Sequence, residues 1–346
     1  MIARDCLFHL RHPLDKDDKS PFRQCDICVR VRAVDPLHKK NLLIDNDAGG
    51  DDAMAIFLAL LNEKHFDGPH LIALTTANGN TCENNVYVNN QRILKVANRQ
   101  DVPIYRGSNS SLVVTPDGGA FFGQDGLGDT GEYLTDLVTA KLKTAVQALI
   151  DFSVMYKDKG KLTIITLGTL TNVALAIKSD PHFLDRLEHL YVAAGHIHDE
   201  NNTEAEFNLH MDVEAYHIVA QNANPDKVTF FPFSQVMKHL NISREWREQV
   251  FGAIDSDIVR AQNKFERFAI EQSDRWHALD PAAVAVALNP ELATEYKYIK
   301  QEVGLCGSKR GIISHSFVEK NESMGRLIYS VDEEKYKKFL MDVFSA

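Results

Sequence analysis

The chain has 346 residues, 44% hydrophobic and 25% charged, enough to bury a deep site within one large core. Its 38 Lys and Arg stand against 48 Asp and Glu, a net charge of -10, which excludes a general positive field for nucleic-acid polymers or an anionic membrane surface. No run of about 18 apolar residues occurs, and the opening MIARDCLFHLRHPLDKDD lacks the apolar stretch of a secretory signal, so a soluble, cytoplasmic protein is expected.

Residues 1–40 are rich in charge, His and Pro and hold neither a 3.6 nor a 2 period, so they read as an N-terminal extension, loosely ordered or docked. From residue 41 onward strand and helix signals alternate. Residues 41–44 (NLLI) form a short apolar strand, 53–61 an apolar helix, 71–76 a strand and 86–97 a helix. Residues 162–166 (LTIIT) are a buried strand feeding a helix at 172–177, and strands recur at 190–193 and 228–232. This order predicts an α/β fold: one domain, 41–346, with a mostly parallel open sheet and helices on both faces. Ligands then bind beyond the carboxyl ends of the strands. The five cysteines (Cys6, Cys25, Cys28, Cys82, Cys306) are too sparse for a disulfide framework, and the lone pair Cys25 and Cys28 reads as incidental thiols rather than zinc ligands.

The most informative segment follows the first strand. Asp45, Asp47, Asp51 and Asp52 are interleaved with small residues and then open a helix. A helix cap uses one carboxylate, not four. Four like charges at a strand end on a deep sheet are partly desolvated and repel one another unless a cation compensates. Oxygen-only ligands favour a hard cation, Ca²⁺ or Mg²⁺, and the absence of nearby Cys or His argues against zinc. Gly49 and Gly50 are expected to let the backbone turn tightly and approach a ligand closely.

The order Asp-x-Asp-x-x-x-Asp-Asp after a first strand resembles the nucleoside hydrolases, the inosine-uridine preferring nucleosidase family. Further stretches in the same order carry the resemblance: Thr75-Thr76-Ala77-Asn78-Gly79-Asn80, Gly123-Gln124-Asp125-Gly126-Leu127-Gly128, residues 167–176 (LGTLTNVALA), Glu204-Ala205-Glu206-Phe207-Asn208 and residues 280–285 (DPAAVA). The resemblance implies calcium-dependent hydrolysis of the bond between ribose and base, with 41–346 as the catalytic domain and association as a homodimer or homotetramer. It assigns Asp47, Asp52 and Asp280 as calcium ligands, with the backbone carbonyl of Leu167. It implies that Asp47 is also the general base, and that Asp51, Asn80, Glu206 and Asn208 hold the ribose. An oxocarbenium-like transition state places positive charge on that sugar, which carboxylates stabilise.

Two departures from the family pattern bear on the leaving base. Many relatives place His directly before the last Asp, where this chain has Leu279, so His277 is expected to serve as the acid or Trp276 to stack on the base, favouring purines. Phe122 stands where relatives often carry His before the glycine. The Asn that the family offers to the ribose 5′-hydroxyl aligns with Glu200, leaving Asn201 or Asn202 to serve after a small loop adjustment, while His196 and His198 read as solvated loop residues. Two other readings stay open from sequence: a nucleoside-binding relative that has lost its acid, and an aspartyl phosphatase of the haloacid dehalogenase type, which Gly49 and the single Asp280 fit poorly.

Overall fold

The computed structural model describes residues 40–131, 137, 139–158, 161–199 and 202–346; the expected extension, apart from Lys40, and Glu200 and Asn201 lie outside these residues. Hydrophobic alternation builds the centre. In β1 (Asn41–Asn46), Leu42 and Ile44 enter one apolar cluster and Leu43 the other, so the strand is buried on both faces. The same holds for β2 (His70–Thr76), β4 (Leu162–Thr166), β5 (His189–Ala193) and β6 (Val228–Phe231), whose registers with their neighbours are all parallel. Two-residue β3 (Ile104–Tyr105) pairs parallel at the edge of β2.

Sheet order along this part is β3-β2-β1-β4-β5-β6, so the chain winds outward in opposite directions from β1 and β4. In such a sheet the loops after those two strands diverge to opposite faces and leave a crevice between them at the carboxyl ends. The crevice is therefore built by the residues after Asn46 and after Thr166. The helix Gly50–His65 leaves β1 and packs chiefly on the helix Leu279–Leu288, both apolar along most of their length. That packing brings the last family-like stretch to the first.

The strands and helices expected over 41–232 are present with ends shifted by a few residues. The C-terminal third adds structure that period alone did not signal. A two-stranded ribbon of β7 (Ile242–Ser243) and β8 (Arg275–Trp276) stands apart from the main sheet. Three further strands, β9 (Ala293–Val303), β10 (Ile313–Phe317) and β11 (Gly325–Val331), extend it, with β9 antiparallel to both β10 and β11. β11 joins β6 in parallel. One side of β9 and β10 faces water, so their sequences are mixed polar and apolar rather than continuous apolar runs. No helix among the described residues is long and apolar enough to cross a membrane.

Candidate active site

The turn from β1 into the next helix is where the acidic segment is shaped. Its left-handed residue is Ala48, at φ 44°, while Gly49 is extended at φ -78° and ψ -178°. The carbonyl of Ala48 is held by Asn89 Nδ2 at 3.2 Å, which stabilises a conformation costly for a side-chain-bearing residue. Gly49 and Gly50 are required for contact of another kind: a Cβ on either would come within 2.8 Å of the Phe122 ring. Thus the expectation that these two glycines make the tight turn is corrected to Ala48. Their close approach is to an aromatic wall.

Asp47 is fully buried and grasped from two sides. Asn80 donates its backbone N–H to Asp47 Oδ2 and its Nδ2 to Oδ1, both at 2.9 Å. A Cβ on Gly79 would sit 1.7 Å from Asp47 Oδ2, and one on Gly168 would sit 2.7 Å from its Cγ. These two glycines are the condition for seating the carboxylate between the ends of β2 and β4. Asp52 is fixed by backbone donors, with Gly49 N at 2.7 Å and Asp47 N at 3.2 Å.

Beneath this layer Asp45 accepts from Thr75 Oγ1 and, at 2.9 Å, from Asn172 Nδ2, which also reaches the carbonyl of Thr76. Asn172 and Thr75 are buried supports whose roles sequence reasoning did not assign, although both lie inside the family-like stretches.

The carboxylates that converge are Asp51, Asp52 and Asp280, whose nearest oxygens all lie within 4.8 Å of one another. Ligands on opposite sides of a calcium ion at about 2.3–2.6 Å are separated by roughly that span, so the three fit around one hard cation. Burial is the first cause of the upward shift in every member of this group. It pushes Asp47 to about 6. Asp51 is pushed to about 8 by burial and then by the charges of Asp47 and Glu266, with backbone hydrogen bonds pulling the other way. Asp52 and Asp280 are held well above the ordinary carboxylate range by burial and then by their acidic neighbours. A cluster so short of positive charge is the electrostatic imprint of a cation site.

Asp47 touches the cluster through Asp52 rather than converging with it, and Asp51, assigned to ribose by the resemblance, converges instead. The Leu167 carbonyl accepts from Asn208 Nδ2 at 2.7 Å and keeps a second lone pair.

Above the carboxylates opens a cleft of about 290 Å³, lined on its floor by Asp51, Asn80, Leu167, Glu206, Asn208 and Asp280. Glu206 caps the short helix after it, accepting from Gly195 N at 2.7 Å, Asn208 N at 2.9 Å and Leu209 N at 3.0 Å; burial pushes it up to about 7. Asn208 spends its amide on the carbonyls of Leu167 and Ala193, tying the ends of β4 and β5 together.

The walls are Phe121, Phe122, Phe207, Phe233 and Leu279, with His277 among them. Three of the phenylalanines were not singled out from sequence, yet each has a positional signal. Phe121 adjoins Phe122, Phe207 sits inside the Glu-Phe-Asn stretch, and Phe233 follows a strand end.

His277 is half-buried, its Nε2 has no hydrogen-bond partner, and its ring meets Phe233 edge-on at 6.5 Å. Burial, then the charge of Arg275, holds its pKa below the ordinary imidazole value.

Trp276 is not in the cleft lining. Its indole is buried and donates to Glu266 Oε1 at 3.0 Å, while His277, the first residue after β8, lines the cleft. Asn202 also stays outside the lining, its Nδ2 bonded to Asp199 Oδ1 at 2.9 Å. His196 and His198 are half-buried rather than solvated, His196 beside Phe233 and His198 bonded through Nδ1 to the Asn202 carbonyl.

Comparison with known proteins gives one consistent result. The model of the family described as "Inosine-uridine preferring nucleoside hydrolase" matches residues 42–338. The chain is 30% identical over 263 residues to the inosine-uridine preferring nucleoside hydrolase of Crithidia fasciculata, covering 74% of this chain and 81% of that protein. It is 29% identical over 296 residues to probable uridine nucleosidase 1 of Oryza sativa subsp. japonica, covering 78% and 84%. The solved structure of a plant nucleoside hydrolase superposes with a TM-score of 0.75 at 27% identity, covering 89% of this chain and 99% of that one.

Proposed function

The chain belongs to the inosine-uridine preferring nucleoside hydrolase family, whose members cut the bond between ribose and base, and from that premise we propose a calcium-dependent nucleosidase that favours purines. The observation that carries this reading is the convergence of Asp51, Asp52 and Asp280 at the floor of a cleft walled by phenylalanines. Calcium held by these groups and the Leu167 carbonyl would supply positive charge that orients and acidifies the attacking water.

The residues of the chain do the rest. Asp47 takes the proton of the water that attacks the anomeric carbon, and its grip by Asn80 keeps the carboxylate aimed. Asp51, Asn80, Glu206 and Asn208 line the ribose side, where Asp51 and Glu206 face the positive charge that develops on the sugar. The bond from ribose to base breaks with its electron pair on the base, which receives a proton from His277 Nε2. That nitrogen is buried in the cleft wall without a partner in the protein. Phenylalanine faces offer stacking area and few hydrogen bonds, which suits the larger purine ring over the pyrimidine.

The test is ribose release from inosine, adenosine, guanosine, uridine and cytidine by purified protein, with calcium and after chelation. Calcium-dependent release that is fastest with the purines is expected. Nucleoside binding without release from any of the five would leave a binding protein in place of an enzyme.

A further inference from the structure

Behind the wall that carries His277 lies a buried polar set outside the cleft lining. Arg247 is 0% exposed and Glu266 2%. Glu266 Oε2 accepts from Arg247 Nε at 3.0 Å and Nη2 at 2.6 Å, which leaves Oε1 for Trp276 Nε1 at 3.0 Å. The guanidinium lies 5.8 Å over the Trp276 ring, and its Nη1 donates to Asn263 at 2.8 Å. Glu266 also abuts the start of the first helix, since a Cβ on Gly50 would fall 2.9 Å from its Cγ.

A buried ion pair is a weak contributor to stability, because desolvation offsets most of its attraction. Its value lies in geometry. Both carboxylate oxygens of Glu266 are committed, so the rotation of the Trp276 indole is fixed, and with it the backbone of a ribbon only two residues long. The His277 side chain has no hydrogen bond at Nε2, and its ring meets Phe233 only by the edge. Its aim therefore comes from the backbone of the preceding residue.

We propose that Arg247, Glu266 and Trp276 form a positioning clamp that aims His277 at the leaving base, with Glu266 keeping that segment in register with the helix that begins beside Asp51. This rests on His277 being the proton donor, as proposed above. The clamp touches neither substrate nor cation.

The experiment compares inosine, whose base needs a proton to leave, with p-nitrophenyl riboside, whose leaving phenolate needs none. Trp276→Phe keeps the packed ring and removes only the N–H donor. It is expected to lower kcat for inosine about tenfold, as a misaimed donor does, and to leave the nitrophenyl substrate within about twofold. The calcium-induced rise in melting temperature should persist. Glu266→Gln, which keeps the volume, also removes a charge that bears on Asp51, so it is read on the ratio of the two substrates, which should shift about tenfold against inosine even if the first variant folds poorly. Equal losses on both substrates, or no loss on inosine, overturn the clamp while leaving the nucleosidase intact. Wild-type protein that releases ribose from neither substrate overturns both readings.

Discussion

The floor and the walls of the cleft are built on different principles. Asp280 in the floor and Asp47 and Asp52 beside it are 0 to 2% exposed and sit at strand ends or helix starts, and backbone or amide donors hold Asp47 and Asp52. Phe121, on a connecting segment, and Phe207, in the first turn of a five-residue helix, are 50% and 38% exposed. Sheet and helix ends thus hold the buried groups that must be placed to a fraction of an ångström, while a loop and the start of a short helix hold these more exposed groups, which need only offer area. On the proposed reading chemistry belongs to the floor and base preference to the walls, so substitutions in the two places should fail in different kinetic terms.

The sharpest way to break this division is Asp47→Ala. It removes the proposed base and both hydrogen bonds from Asn80, so turnover should fall by about 10³-fold or more. Retained turnover would move the base elsewhere. Gly79→Ala changes no charge yet places a methyl 1.7 Å from Asp47 Oδ2. A displacement of that size should cost kcat on the order of 10²-fold with every base. A loss that varied with the base would show that floor and wall are not separable.

Proton linkage addresses the floor alone. Asp47 at about 6 and Asp51 at about 8 lie above their unfolded value of 3.8. The folded protein then retains protons that the unfolded chain has released, so in chelator stability should fall as pH rises from about 4 through about 8. Calcium favours the ionised carboxylates. The difference in melting temperature between calcium and chelator should widen from about pH 5 to about pH 8, and a constant difference would remove Asp51 from the proposed cation site. The smallest effect is expected from the wall. Phe233→Ala should raise KM about five- to tenfold for purine nucleosides, less for pyrimidines, and leave kcat nearly unchanged.

Much of the floor was legible in the sequence because its residues are packed into short stretches after strands, where period and charge speak together. The parallel core from β1 to β6 was legible for the same reason: strands buried on both faces read as apolar runs. β9 to β11 did not announce themselves because a half-exposed antiparallel block mixes polar and apolar residues. Trp276 shows another limit. Its neighbour His277 lines the cleft while the indole turns to Glu266, a difference set where a two-residue ribbon ends, and the ribbon's partner, β7, lies more than thirty residues earlier. The left-handed turn at Ala48 carries no sequence mark at all, since adjacent glycines are the natural candidates and the amide of Asn89 supplies the stabilisation from another helix.

The closure of the floor by Asp280 also has a temporal side. Gln262 reaches the Gly50 carbonyl across 212 positions, and the helix that begins at Leu279 docks on the one that begins at Gly50. During synthesis the amino-terminal aspartates emerge long before the carboxylate that completes their set, so they stand as a self-repelling patch on an unfinished sheet. If the set holds the proposed cation, its capture marks the arrival of the last third of the chain. A truncated or stalled product would lack it, which makes metal affinity a reporter of complete folding.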